Sequence, residues 1–164
     1  MKRPLLVLAF LGTIFLSVAH AAPTPFFSNL AGNWSGLGHA YLSRMGEVSA
    51  DCRLAITGGE TQVAMNGSCG LLMFRQPLGF SIRNAGGNKY LGMYTGSRTG
   101  PAKLEGTLQG QRLVMTITWG GLVNGHRTAQ MILERTGPDS FVQRVIDNVA
   151  GKSRITSNFE FKRG

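Results

Sequence analysis

The chain has 164 residues, of which 43% are hydrophobic and 15% are charged. This composition fits one folded domain and excludes a disordered tail or a polytopic membrane protein. The formal net charge of +9 biases the chain towards anionic partners in general without selecting one.

The N-terminus has the pattern of a secretory signal peptide. Lys2-Arg3 precedes an apolar stretch at positions 5–18, and Ala19-His20-Ala21 forms an A-x-A cleavage site. A transmembrane anchor is the alternative, but a span needs about 20 apolar residues. No cysteine lies near the cleavage site to carry a lipid. We therefore expect a periplasmic or secreted protein without a lipid anchor.

The predicted domain organisation follows from this cleavage site. Residues 1–21 are the signal peptide, residues 22–31 form a Pro-containing leader, and residues 32–164 form a single domain. Throughout that domain, short segments of alternating apolar and polar residues are separated by glycine-rich turns. The predicted strands are Gly32–Leu42, Glu47–Thr57, Gln62–Cys69, Leu78–Asn84, Lys89–Thr95, Ala102–Leu108, Arg112–Trp119, Arg127–Arg135, Ser140–Asn148 and Arg154–Lys162.

The short links between these segments favour an all-β, up-and-down antiparallel barrel of about ten strands. A ten-stranded meander avoids two exposed edges by closing on itself. The last predicted strand alternates well, with Ile155, Phe159 and Phe161 on one face. We expect it to pair with the first strand.

Two cysteines, Cys52 and Cys69, are present in the whole chain. A turn at residues 59–62 places them directly opposite each other on neighbouring strands. In an oxidising compartment this arrangement predicts a disulfide, worth about 3 kcal/mol for a loop of this size. A reactive thiol or a metal pair is the alternative, but the spacing matches no zinc motif.

The run Gly32-x-Trp34-x-Gly36-x-Gly38, with Tyr41 three residues further on, carries a family resemblance. Gly-x-Trp on a first strand resembles the lipocalin opening, and the longer run is similar to the nitrobindin opening. The resemblance implies a barrel like those of lipocalins and fatty-acid-binding proteins, which encloses a small, largely apolar ligand, with Trp34 closing the narrow end.

Nitrobindins also imply a haem pocket with a histidine near the C-terminal strand, but no histidine follows His126 here. We therefore predict no cofactor, with haem as the unsupported alternative. His39 lies on the same predicted face of its strand as the outward-facing residues, so we expect it to face solvent. We expect His126 to lie in a loop. No metal site is predicted.

No recognisable catalytic motif is present. The sequence contains no G-x-S-x-G elbow, P-loop or H-E-x-x-H, and no two carboxylates form an acid/base motif, although separated carboxylates can still converge in space. The sequence thus predicts a protein that is not an enzyme. Its arginines are spread over the chain rather than clustered, which argues against specific nucleic-acid binding and leaves weak attraction to anionic envelope surfaces.

The barrel interior is the predicted binding site for a small apolar or amphipathic molecule, because ten strands enclose more volume than eight. An inward arginine would bind an anionic head group. Arg53 and Arg83 are the candidates, if the inward and outward positions of their strands are the reverse of those predicted. The alternative is a filled barrel that acts as a protein-interaction or protease-inhibitor module through loops such as Gly120–Gly125. The ligand-lining candidates are Trp34, Phe80, Ile82, Tyr90, Tyr94, Leu113, Met115, Ile117, Met131 and Phe159.

Overall fold

The structure is a computed structural model that describes residues 25–71 and 73–164. The predicted signal peptide and the first residues of the predicted leader lie outside the described residues. Among the described residues there is no helix of the length and apolarity that crossing a bilayer requires.

Ten antiparallel strands form a closed up-and-down barrel, as the sequence predicted. Each strand pairs with its neighbours in the chain, and β1 pairs with β10 to close the sheet. The strands are β1 (Gly32–Leu42), β2 (Gly46–Gly58), β3 (Gln62–Leu71), β4 (Phe74–Asn84), β5 (Lys89–Tyr94), β6 (Ala102–Gln109), β7 (Arg112–Val123), β8 (His126–Gly137), β9 (Ser140–Val149) and β10 (Lys152–Arg163).

The closing seam runs from Trp34 opposite Arg163 to Ala40 opposite Ser157. Glycine is required on this seam because the two strands lie very close to each other. A Cβ atom added to Gly38 would lie 2.0 Å from the carbonyl oxygen of Asn158. Only a residue without a side chain lets β1 approach β10 this closely.

Several strand boundaries differ from the prediction, and the largest differences are at the start of β4 and the end of β7. β4 begins at Phe74 rather than Leu78, so Pro77 lies within the strand, where a proline argues against a strand. β7 continues past Gly120 to Val123, and β8 begins at His126, so neither the loop predicted at Gly120–Gly125 nor a loop position for His126 is correct. Residue 120 has to be glycine here, because a Cβ atom added to it would lie 2.4 Å from the carbonyl oxygen of Thr99.

The prediction that Ile155 shares the buried face with Phe159 and Phe161 is wrong. The register between β10 and β9 shifts between Ile155 and Ser157, which is a β-bulge at Thr156. One extra residue reverses the alternation. Ile155 is therefore exposed, whereas the two phenylalanines remain inside.

The predicted register of β2 and β3 is confirmed. Cys52 lies opposite Cys69 and the two form a disulfide. Arg53 faces outward on the same strand, and so does Arg83 on β4. The inward and outward positions of both strands are therefore those that the alternation predicted, and neither arginine points into the interior.

Residues 25–31, the described part of the predicted leader, plug one end of the barrel. Phe26, Phe27 and Leu30 are buried there, and Phe27 packs edge-on against Tyr90 at 5.6 Å between ring centroids. The indole Nε1 of Trp34 donates a hydrogen bond to the Leu30 carbonyl at 2.8 Å. We call this the closed end, and Trp34 lies directly beneath its plug.

Candidate functional site

The opposite end of the barrel contains a cavity. The turns that include residues 43–45, 73, 95–101, 124–125 and 150–151 surround it, and we call this the open end. The cavity has a volume of about 370 Å³ and extends inward between the strands. Its lining is predominantly apolar, as small-molecule sites usually are.

Aromatic rings form two walls of this cavity. Phe80 and Tyr94 stack at 4.7 Å between centroids with an interplanar angle of 26°, and Tyr94 meets the edge of Trp119. Phe141 and Phe161 stack in the same way at 4.8 Å and 16°. The walls present flat aromatic faces, which suit planar or aliphatic groups.

The predicted lining residues separate into two groups. Five lie on the cavity, and the other five are buried but pack the closed half of the barrel. The position of each residue along its strand explains the division. Interior residues nearer the closed end of the barrel are packed in its filled half, and those nearer the open end line the cavity. The cavity group is Phe80, Tyr94, Ile117, Met131 and Phe159. The closed-half group is Trp34, Ile82, Tyr90, Leu113 and Met115.

Polar side chains lie among the apolar ones on one side of the cavity. Asp147 is only 4% exposed, and it accepts hydrogen bonds from Asn124 Nδ2 at 2.8 Å and from the Asn148 backbone N–H at 2.7 Å. On the same strand, Gln143 accepts a hydrogen bond from Ser157 Oγ at 3.2 Å. These partners satisfy the buried carboxylate and fix its position.

Trp119 is a cavity-lining residue with an unsatisfied hydrogen-bond donor. Its side chain is buried and lines the void, yet its indole Nε1 has no hydrogen-bond partner. A buried donor without a partner costs about 1–3 kcal/mol. An acceptor on a bound molecule would recover that free energy.

Tyr94 is the second amphipathic ring on the cavity. Burial raises the pKa of its phenol to about 12. The hydroxyl group therefore stays protonated at every physiological pH and offers the cavity a neutral polar group.

The arginine at the cavity is Arg98, in the turn between β5 and β6. The sequence analysis expected Arg53 or Arg83 instead, and it missed Arg98 because strand alternation gives no direction for a residue in a turn. It also missed Gln143 and Asp147. These two had a detectable signal, since both share the parity of Phe141 on β9.

The two described histidines lie away from the cavity. His39 is exposed on the outward face of β1, as predicted, and His126 is exposed at the start of β8. Neither lines the cavity, so neither is placed as the haem histidine that the nitrobindin resemblance implies. Among residues 25–71 and 73–164, no group of three or more His, Cys, Asp or Glu side chains could hold a metal ion.

No protein-family model matches the sequence, and no curated protein matches it. Solved structures do match its fold. Rv2717c from M. tuberculosis is 12% identical with a TM-score of 0.66, over 85% of this chain and 98% of that one. The S-type phycobiliprotein lyase CPES from Guillardia theta is 12% identical with a TM-score of 0.59, over 85% of this chain and 90% of that one.

These likenesses agree with the closed, ten-stranded antiparallel barrel of this chain. They also correct the prediction of a protein that is not an enzyme. That prediction is wrong, because the CPES barrel, which this chain resembles, belongs to a protein named as a lyase.

Proposed function

We propose that the barrel binds a small, largely apolar ligand in the cavity at its open end, and that the ligand carries a hydrogen-bond acceptor. The observation that carries the proposal is the buried, unpartnered Nε1 of Trp119, whose side chain lines an apolar void of about 370 Å³. The likeness to solved barrels of the same fold supports a ligand-binding barrel in general.

The size of the cavity limits the ligand. A protein cavity of about 150 Å³ holds one benzene molecule, or roughly 25 Å³ for each non-hydrogen atom. A void of about 370 Å³ then accommodates about fifteen non-hydrogen atoms. This corresponds to two fused rings with a short substituent, or to a chain of similar volume.

The lining chemistry limits the ligand further. The Phe80–Tyr94 and Phe141–Phe161 stacks favour flat or aliphatic groups, and Trp119 favours an acceptor such as a carbonyl oxygen. At the affinity usual for a ligand of this size, we expect a dissociation constant of about 10 μM.

The narrower family and the compartment are part of the same proposal. The position of Trp34 under the closed-end plug supports the role that the lipocalin and nitrobindin openings imply for it. The Cys52–Cys69 disulfide supports export to the periplasm or beyond, because such bonds persist in oxidising compartments.

A matched pair of ligands tests the proposal. Acetonaphthone and ethylnaphthalene have nearly the same size and shape, but only acetonaphthone has a carbonyl acceptor. We expect acetonaphthone to bind about fivefold more tightly, which is the value of one hydrogen bond of about 1 kcal/mol. Quenching of the tryptophan fluorescence or calorimetric titration measures both affinities.

Trp119→Phe is the matched variant, because it keeps an aromatic ring at the wall and removes the N–H donor together with part of the indole ring. In this variant the preference for acetonaphthone should disappear while ethylnaphthalene binding persists. If neither ligand binds the native protein at about 100 μM, the cavity is not a ligand site of this class. The protein-interaction module would then be the better account.

A further inference from the structure

The exposed apolar side chains of the barrel are concentrated at the open end. Seven large hydrophobic residues of the described chain are exposed, and four of these lie in or next to the open-end turns. Met73 is 92% exposed and Phe74 is 74% exposed. The four apolar rim residues are Met45, Met73, Phe74 and Leu122. An exposed group of this kind indicates an interaction site.

Cationic side chains surround the same opening. Five are exposed at the open end, and within the described residues none of the five forms an ion pair with a carboxylate. One of them stacks on an aromatic ring, with the Arg154 guanidinium carbon 4.7 Å from the Tyr41 ring centroid. The five cationic rim residues are Arg44, Arg98, Arg127, Lys152 and Arg154.

The carboxylates are distributed in the opposite way. At the open end Glu47 is exposed, whereas Asp147 is buried and held by Asn124. At the closed end, Asp139 and Glu134 neutralise Arg163 and Arg144 in ion pairs. The whole barrel is net positive, and at the open end this charge is carried by cations that form no ion pair among the described residues.

We propose that the open end docks onto a bilayer that contains anionic lipids. Met45, Met73, Phe74 and Leu122 enter the boundary between head groups and acyl chains, and the cationic rim residues lie at the level of the lipid phosphates. This mixture of apolar and cationic groups is the composition that binds membrane interfaces.

A bilayer fits the geometry better than a protein partner does. The apolar side chains lie on three separate turns around an opening and do not form one flat patch. A fluid interface can accept each tip independently, whereas a protein partner needs a complementary rigid surface. Docking goes beyond the proposed ligand function, because it places the mouth of the cavity against the acyl chains. An apolar ligand then enters without crossing water.

Vesicle flotation tests the docking. The full chain is mixed with vesicles of phosphatidylcholine alone or of equal parts phosphatidylcholine and phosphatidylglycerol, and the bound fraction is measured. We expect binding to the anionic vesicles, weakened by added salt. All variants share the apolar N-terminus, so the differences between variants are the readout.

Two pairs of variants separate the rim from the rest of the surface. Met73→Ser with Phe74→Ser should lower binding to anionic vesicles at least tenfold. Leu37→Ser with Met93→Ser removes exposed apolar side chains from the barrel wall and should leave binding unchanged. Arg44→Gln with Lys152→Gln should lower binding about fivefold per charge, the equivalent of about 1 kcal/mol each. Arg83→Gln with Lys162→Gln, at exposed sites nearer the closed end, should have a smaller effect.

Equal losses in the rim and wall variants would overturn the proposal, and so would equal binding by the native protein and the rim variants. A dimer in solution that the rim substitutions disperse would assign the rim to a second copy of the chain instead. Acetonaphthone binding measured without vesicles keeps the two proposals apart, since the rim variants should retain it.

Discussion

Arg163 lies over the indole ring of Trp34, with its guanidinium carbon 4.6 Å from the ring centroid. The same guanidinium donates hydrogen bonds to the backbone carbonyls of Ala31, at 2.7 Å, and Asn29, and it pairs with Asp139 at 2.7 Å. One residue near the C-terminus thus holds both the first strand and the plug. At the closed end, the last strand of the barrel therefore holds the first strand and the plug in place.

Replacing Arg163 with Ala should destabilise the barrel by about 2–3 kcal/mol, because a cation–π contact and several charged hydrogen bonds are lost together. Lys162→Ala is the matched control. Lys162 is the preceding residue of β10, it is exposed, and its loss should cost less than about 0.5 kcal/mol. Denaturant unfolding measures both values, and similar values would contradict a clamping role for Arg163.

Gly38 tests the closing seam between β1 and β10. A Cβ atom there would collide with backbone of the partner strand, so Gly38→Ala should cost at least about 2 kcal/mol. Gly59→Ala provides the control, because nothing lies within 4 Å of the added Cβ in the turn between β2 and β3. If Gly38→Ala unfolds at the same denaturant concentration as Gly59→Ala, the seam is looser than described.

Tyr94 predicts a pH dependence at the alkaline end. Its pKa is about 12 in the folded protein, against 10.0 for a tyrosine exposed to water, so the folded state favours the protonated phenol. This contribution to stability is fully present below pH 10.0. It is lost at about 1.4 kcal/mol per pH unit as the pH rises towards the folded pKa. Tyr94→Phe should remove that slope and the latest step of the tyrosinate absorbance titration. An unchanged slope in Tyr94→Phe would show that Tyr94 ionises normally.

Much of the fold follows from local sequence patterns. Alternation and glycine-rich turns were sufficient to predict ten strands, and the count from the turn after Gly58 placed Cys52 opposite Cys69. The bulge at Thr156 could not be predicted in this way, because one extra residue in a strand leaves no mark in the alternation of apolar and polar residues around it. Ile155 consequently changed face.

The cavity was harder to predict than the barrel. Alternation identifies the inward residues but not the volume that they leave unfilled. That volume depends on how the side chains of all ten strands and the plug pack together. Phe26 and Phe27 fill the closed half, and nothing in their short segment indicated that they fold back into the barrel. The predicted lining therefore included Leu113 and Met115, which lie in the filled half, as well as Ile117, which lies on the void.

The most direct test of the ligand site is to fill the cavity from its wall. Ala40 lines the void on β1, and Ala55 is exposed on the outer face of β2. The affinity of the fluorescent apolar probe N-phenylnaphthylamine is measured for the native protein, Ala40→Phe and Ala55→Phe. We expect Ala40→Phe to weaken probe binding at least tenfold with cooperative unfolding retained, and Ala55→Phe to bind as the native protein does. Unchanged binding in a folded Ala40→Phe variant would contradict a ligand site inside the barrel.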